Sequence, residues 1–161
     1  MRIWVAILGL SVLTACGDKD PRPEIEVSAA WARPTVSGQV AGVAYLTINN
    51  AGAVDRLVGI ETEIAGTAVL HVSETVEGVA RMRPMTALAI PKDVPVMMAP
   101  GGLHIMLFEL VAPLDLNAQF ELALIFEKAG AVQVTVEIRP GGDWQRSLGN
   151  RNGENLRDGG P

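Results

Sequence analysis

A chain of 161 residues, 48% of them hydrophobic, is long enough for one well-formed core and short enough that a second domain is not expected. Its 13 basic and 18 acidic residues give a formal charge of −5, which leaves no electrostatic footprint for nucleic acid. A single cysteine, Cys16, excludes an intramolecular disulfide.

Residues 1–15 read as a bacterial lipoprotein signal peptide. Arg2 supplies a short positive start, Ile3 to Val12 an apolar run, and Leu13-Thr14-Ala15-Cys16 a small-residue cleavage site ending in cysteine. About a dozen apolar residues fall short of the roughly 20 that a membrane-spanning helix requires. A lone thiol in an oxidising compartment needs an explanation, and lipidation of the Cys16 sulfur after cleavage supplies one. The mature chain is then expected in the periplasm, held to a membrane by its lipid. Residues 16–26 are polar and carry Pro21 and Pro23, as a tether to a folded body should.

The folded domain is expected over residues 27–140. Gly, Pro and Asn punctuate it every ten or so residues, and the intervening segments show the two-residue period of strands. In chain order these are 43–50, 57–64, 67–74, 79–85, 103–110 and a hairpin over 120–138. In that hairpin Phe120, Leu122, Leu124 and Phe126 alternate with Glu121, Ala123, Ile125 and Glu127. Past Lys128-Ala129-Gly130, the residues Val132, Val134, Val136 and Ile138 alternate with Gln133, Thr135 and Glu137. Short antiparallel strands without a convincing helix imply an all-β sandwich or Greek-key barrel. The tail, residues 141–161, is rich in Gly, Asn and Arg and is expected to stay mobile. Trp31 and Trp144 read as core or rim residues.

The chemistry lies in two histidines and two methionines. His104 and Met106 are two apart on a strand, so they project to one face. The other histidine, His71, lies on a separate strand, eleven positions before Met82, and a hairpin turning on Val76 and Glu77 sets those two directly opposite each other. A bulge at Gly78 would shift this register by one. Two imidazoles and two thioethers converging from three strands make a soft, neutral donor set. Mg²⁺ and Ca²⁺ demand oxygen, and zinc favours thiolate, which the domain lacks. Cu(I) is the ion that matches. Methionine also keeps a soft donor available where cysteine would oxidise. Met85, Met97 and Met98 fit no spacing argument and read as core or rim, although Met85 stays open as an added ligand.

The same residues resemble the periplasmic PCu(A)C copper chaperones, whose motif is His, ten residues, Met, twenty-one residues, then His-X-Met. His71, Met82 and His104-Ile105-Met106 match that spacing without a gap. The similarity extends to "AWARPT", "AGVAYLTINNAG", "ARMRPM", "PGGLHIML" and "FEKAGAVQVTVEI", and covers residues 26–138. It implies a cupredoxin-like Greek-key β-sandwich or barrel of about seven to nine strands. One Cu(I) per chain would be held by His71, Met82, His104 and Met106 and passed toward the binuclear copper site of cytochrome c oxidase, alongside Sco-type proteins. Copper donor and acceptor proteins are then the partners, and a monomer is expected. The tail lacks the His/Met-rich extension that some members use for Cu(II), so a second copper is not expected.

Other readings separate by observation. An electron-transfer cupredoxin needs a cysteine thiolate beside two histidines, and Cys16 lies outside the domain. A periplasmic copper buffer or resistance protein would use the same site without an oxidase client, and a metal-free anchored interaction domain would not use it at all. An enzyme is not expected. There is no nucleophile elbow, no catalytic set beyond the two histidines, and no phosphate-cradling loop, since Pro100-Gly101-Gly102 reads as a turn.

Overall fold

The computed structural model describes residues 22–141. The signal peptide over 1–15, Cys16, the first part of the tether and the tail beyond Gly141 therefore lie outside the described residues. Within them the chain forms ten strands and no helix: β1 (Ile25–Ala32), β2 (Ala41–Asn50), β3 (Asp55–Glu61), β4 (Ala65–Val76), β5 (Val79–Pro84), β6 (Leu88–Ile90), β7 (Val96–Met97), β8 (Leu103–Leu110), β9 (Gln119–Phe126) and β10 (Gly130–Ile138). The all-β expectation is met, and two of the ten strands are pieces of only two and three residues.

All strands belong to one sheet in the order β5-β4-β8-β2-β1-β10-β9-β3-β6, with β7 pairing β2 beyond the end of β8. Every pairing is antiparallel except β1 with β10. The sheet does not close by hydrogen bonds, since β5 and β6 stand at its two ends. It nevertheless wraps a single core. Leu70, Ile105 and Leu107 from the β4–β8 half join Leu122, Leu124 and Val136 from the β9–β10 half in one buried cluster.

The β9–β10 hairpin shows why alternation was readable. Leu124 pairs with Val132, Leu122 with Val134 and Phe120 with Val136, all on the core face. The turn is held from outside. The buried Asp55 carboxylate at the start of β3 accepts the N–H groups of Lys128 (3.0 Å) and Ala129 (2.9 Å), as well as that of Arg56 (2.8 Å).

Pairing begins earlier than the expected domain start at Val27. Ile25 already pairs with Asn50, and the carbonyls of Glu24 and Arg22 accept the N–H groups of Ala51 and Ala53. Asn50 is buried and accounts for this extension, accepting the Glu24 N–H at 3.1 Å and donating to the Ala53 carbonyl at 2.7 Å. Further along, a bulge between Ser28 and Trp31, with Ala29 at φ 51°, resets the alternation of β1 so that Trp31 pairs with Tyr45.

Burial of Tyr45 raises the pKa of its hydroxyl, and the Arg33 charge opposes part of that rise. The neutral phenol is therefore favoured in the folded state. Stability is fully present below pH 10, the unfolded value, and is lost as pH climbs through the higher folded value. Urea midpoints should fall above about pH 10, and Tyr45→Phe should remove that component of the alkaline slope. An unchanged slope in the variant would assign the alkaline loss to other groups.

Candidate metal centre

Alternation on β8 sends Ile105 and Leu107 into the core and leaves His104, Met106 and Phe108 on the opposite face. On β4, Leu70 faces the core while Val69, His71 and Ser73 share the face of the β8 histidine. His71 and His104 are direct cross-strand partners. Their rings stack with centroids 5.9 Å apart and planes 27° from parallel. The row of rings continues to Tyr45, 6.5 Å from His104, and then to Trp31, 4.7 Å from Tyr45, while Phe108 meets His71 edge-on at 6.0 Å. Trp31 is buried, as a core residue should be.

Both imidazoles are oriented by the backbone. His104 Nδ1 lies 2.9 Å from the Gly102 carbonyl and His71 Nδ1 lies 3.2 Å from the Val69 carbonyl. A carbonyl only accepts, so Nδ1 is the donor of each ring, and in the neutral imidazole Nε2 is then the nitrogen with the lone pair. This is how metal-binding imidazoles are commonly set. The Gly102 carbonyl comes from the turn at residues 99–102, where Gly101 takes φ 84° and Gly102 N–H donates to the Ala99 carbonyl. The expected turn before Leu103 is present, and it also orients His104.

Met106 sits one step along β8, between Val69 on one neighbour and Val43 on the other. Met82 is where the structure corrects the expected register. It pairs with Ser73, and the partner of His71 is Pro84. The turn falls on Glu77 and Gly78, both at positive φ (52° and 78°), and closes with the Val76–Val79 pair. A turn on Val76 and Glu77 would have forced a β-branched residue into that left-handed region, which sterics oppose. The resulting shift is two residues, and an even shift leaves every side chain on its original face. Met82 therefore keeps the face of His71 as a diagonal neighbour, at a typical separation of about 7–8 Å that is somewhat shorter between Cβ atoms. It is 65% exposed, while His104 is only 5% exposed.

His104, Met106, Met82 and Ser73 open onto one groove of about 380 Å³, walled on the other side by Tyr45, Val43 and Arg33. His71 is half-buried beside it and stacked on His104. No Asp or Glu lines this groove, and no cluster of three His, Cys, Asp or Glu side chains exists among the described residues. Met85 packs against the core and lines a different hollow beside Leu57 and Ile60, and Met98 is buried. Arg33, Tyr45 and Ser73 were not anticipated as groove residues. The Trp31–Tyr45 pairing that brings in the far wall depends on the β1 bulge, which spacing alone does not announce.

Fold and site together define a class: an all-β domain that carries a stacked imidazole pair and two thioethers on the outer face of its sheet. The family model described as LpqE-like matches residues 25–138, and the chain belongs to that family. A protein of Leifsonia xyli subsp. xyli (strain CTCB07), described as "Putative lipoprotein Lxx21020", is 31% identical over 117 residues, spanning 71% of this chain and 69% of its own. Among solved structures, the apo PCuAC domain from PmoF1 shares 27% identity at a TM-score of 0.61, over 74% of this chain and 97% of that one. The copper-bound PCuAC domain from PmoF2 shares 25% identity at a TM-score of 0.62, over 73% and 94%. The resemblance first drawn from the His/Met spacing is met by the family and by the cupredoxin-like fold of these domains.

Proposed function

We propose that this protein is a lipid-anchored, extracytoplasmic copper carrier that holds one Cu(I) through His71, Met82, His104 and Met106 and passes it toward the binuclear copper site of cytochrome c oxidase. The observation that carries this reading is the opposed histidine pair. Each ring is oriented by a backbone carbonyl at Nδ1, which leaves Nε2 of the neutral imidazole as the nitrogen for a metal, beside two thioethers in a groove lined by no carboxylate among the described residues. Neutral soft donors suit a monovalent soft ion, whereas a doubly charged ion gains more from anionic ligands. Similarity to a domain solved with copper points the same way. Membership among LpqE-like proteins, with a relative described as a lipoprotein, supports the lipid anchor at Cys16.

The donors differ in how firmly they are held. His104 is buried and doubly constrained by stacking and hydrogen bonding, while Met82 is exposed on an end strand and has three rotatable bonds with which to turn inward across Ser73. A graded set of this kind lets an incoming donor replace one ligand at a time without unfolding the domain. Anaerobic Cu(I) titration with X-ray absorption should count nitrogen and sulfur neighbours together around one copper per chain. A copper with no sulfur neighbour would end the reading. For the client, deletion should lower oxidase activity and excess copper should restore it. Oxidase activity that deletion leaves untouched would assign the same site to copper buffering.

Two further outcomes are expected. Imidazole binds metal only when neutral, so protons compete and Cu(I) affinity should fall in acid; an affinity flat from about pH 7.5 to 5 would count against histidine ligation. Met106→Leu keeps volume and should cost the copper-free fold under about 1.5 kcal/mol. It should nevertheless weaken Cu(I) binding measurably in a chelator competition. Unfolding with unchanged affinity would make the methionine a packing residue only.

A further inference from the structure

Met82 stands on a free edge of the sheet, and its own backbone is part of what that edge presents. β5 pairs only with β4, so its other side takes no strand among the described residues. Hydrogen-bond parity tells which groups lie on that side. The Ser73 N–H donates to the Gly102 carbonyl at 3.1 Å, away from β5, so Ser73 and Met82 face each other without exchanging hydrogen bonds. The Met85 N–H donates to the Leu70 carbonyl at 2.8 Å, and an odd step of three residues from Met82 gives the same answer. The N–H and carbonyl of Met82 therefore point outward. The exposed stretch is short, since β5 begins at Val79 and Pro84 has no N–H to offer, so any added strand centres on Met82.

Charge decides what can pair there. Arg81 and Arg83 flank Met82 on the opposite face of the strand, and both are exposed. Arg83 pairs with Glu74, whereas Arg81 takes part in no ion pair among the described residues. If two copies of the chain paired antiparallel through Met82, each Arg81 would face an Arg83, and like charges directly opposite are destabilising. Arginines at an edge thus oppose self-association. A segment with Asp or Glu at those two places meets opposite charge instead.

We infer that the β5 edge docks an extended acidic segment of a partner protein as an added antiparallel strand, with one residue between two carboxylates set against Met82. That central residue exchanges both backbone hydrogen bonds with Met82, and its side chain lies on the same face at a Cβ separation of about 5 Å. The flanking carboxylates meet Arg81 and Arg83. Docking itself needs no metal. Its use in copper transfer rests on the Cu(I) reading: Met82 is 65% exposed, so a partner group arriving beside it stands next to the donor that is least enclosed.

The test adds two end-blocked peptides, Thr-Glu-Met-Glu-Thr and Thr-Lys-Met-Lys-Thr, to the copper-free full chain and follows backbone amides by NMR. The acidic peptide should bind about tenfold more tightly, as two cross-strand charge pairs of reversed sign allow, and should slow hydrogen exchange at the Met82 N–H. Arg81→Gln removes one of those pairs and should cut the ratio to about threefold. N-methylation of the peptide's methionine takes away the donor to the Met82 carbonyl and should abolish binding. Equal affinities for the two peptides, or binding that N-methylation leaves unchanged, would overturn the inference. So would a dimer of the copper-free chain that protects the Met82 amide, because the edge would then belong to a second copy. A chain that pairs the acidic peptide as expected but takes no Cu(I) would uphold the docking edge and sink only the reading of the metal site.

Discussion

His104→Ala should weaken Cu(I) binding more than 100-fold, exceeding the roughly 10–100-fold that loss of an outer-shell partner costs a metal site. The magnitude follows from how much order converges on this one ring. It is buried, stacked on His71, flanked by Tyr45, and turned by the Gly102 carbonyl so that Nε2 carries the free lone pair. The same substitution should leave the strands paired, because its core-facing neighbours Ile105 and Leu107 are untouched. His71→Ala should cost less, since that ring is half-buried and its orienting hydrogen bond is longer at 3.2 Å. Competition against a chromophoric Cu(I) chelator, with far-UV circular dichroism to verify the fold, measures both. An affinity within threefold of the parent protein in His104→Ala would remove the histidine pair from the site.

Asp55→Ala should destabilise the domain by about 3 kcal/mol, a large share of the roughly 5–15 kcal/mol that holds such a domain together. The Asp55 carboxylate is 4% exposed and accepts three backbone N–H groups, two of them from the β9–β10 turn. Alanine leaves all three without an acceptor, and each unmet donor costs about 1–3 kcal/mol where water does not reach it. Lys128 and Ala129 are exposed, so water recovers part of that loss and the total stays near the lower sum. Asp55→Asn retains one acceptor oxygen and should cost about half as much. Urea midpoints at constant slope measure the effect. A loss under about 1 kcal/mol would mean that water replaces the carboxylate fully. Cu(I) affinity of the folded fraction should not change, because Asp55 stands on β3, in the other half of the sheet from His104. The exposed Arg56–Glu127 pair at 3.7 Å adds little to this junction, as surface ion pairs generally do.

What the amino-acid sequence determined by itself is whatever depends on a period of two. Alternation placed His104 and Met106 on one face, predicted the β9–β10 hairpin, and kept Met82 on the face of His71 even though the turn was misplaced, because parity survives an even shift. The His/Met spacing was enough to point to the right family. Tertiary structure alone decided which strands lie side by side. The His71–His104 pair joins strands that are not consecutive in the chain, and the Arg33–Tyr45 wall depends on a bulge in the first strand. The reason is energetic. A side chain's face is fixed by local backbone geometry, whereas register and neighbour order are settled by summed turn strain and burial over residues far apart, which no local pattern records.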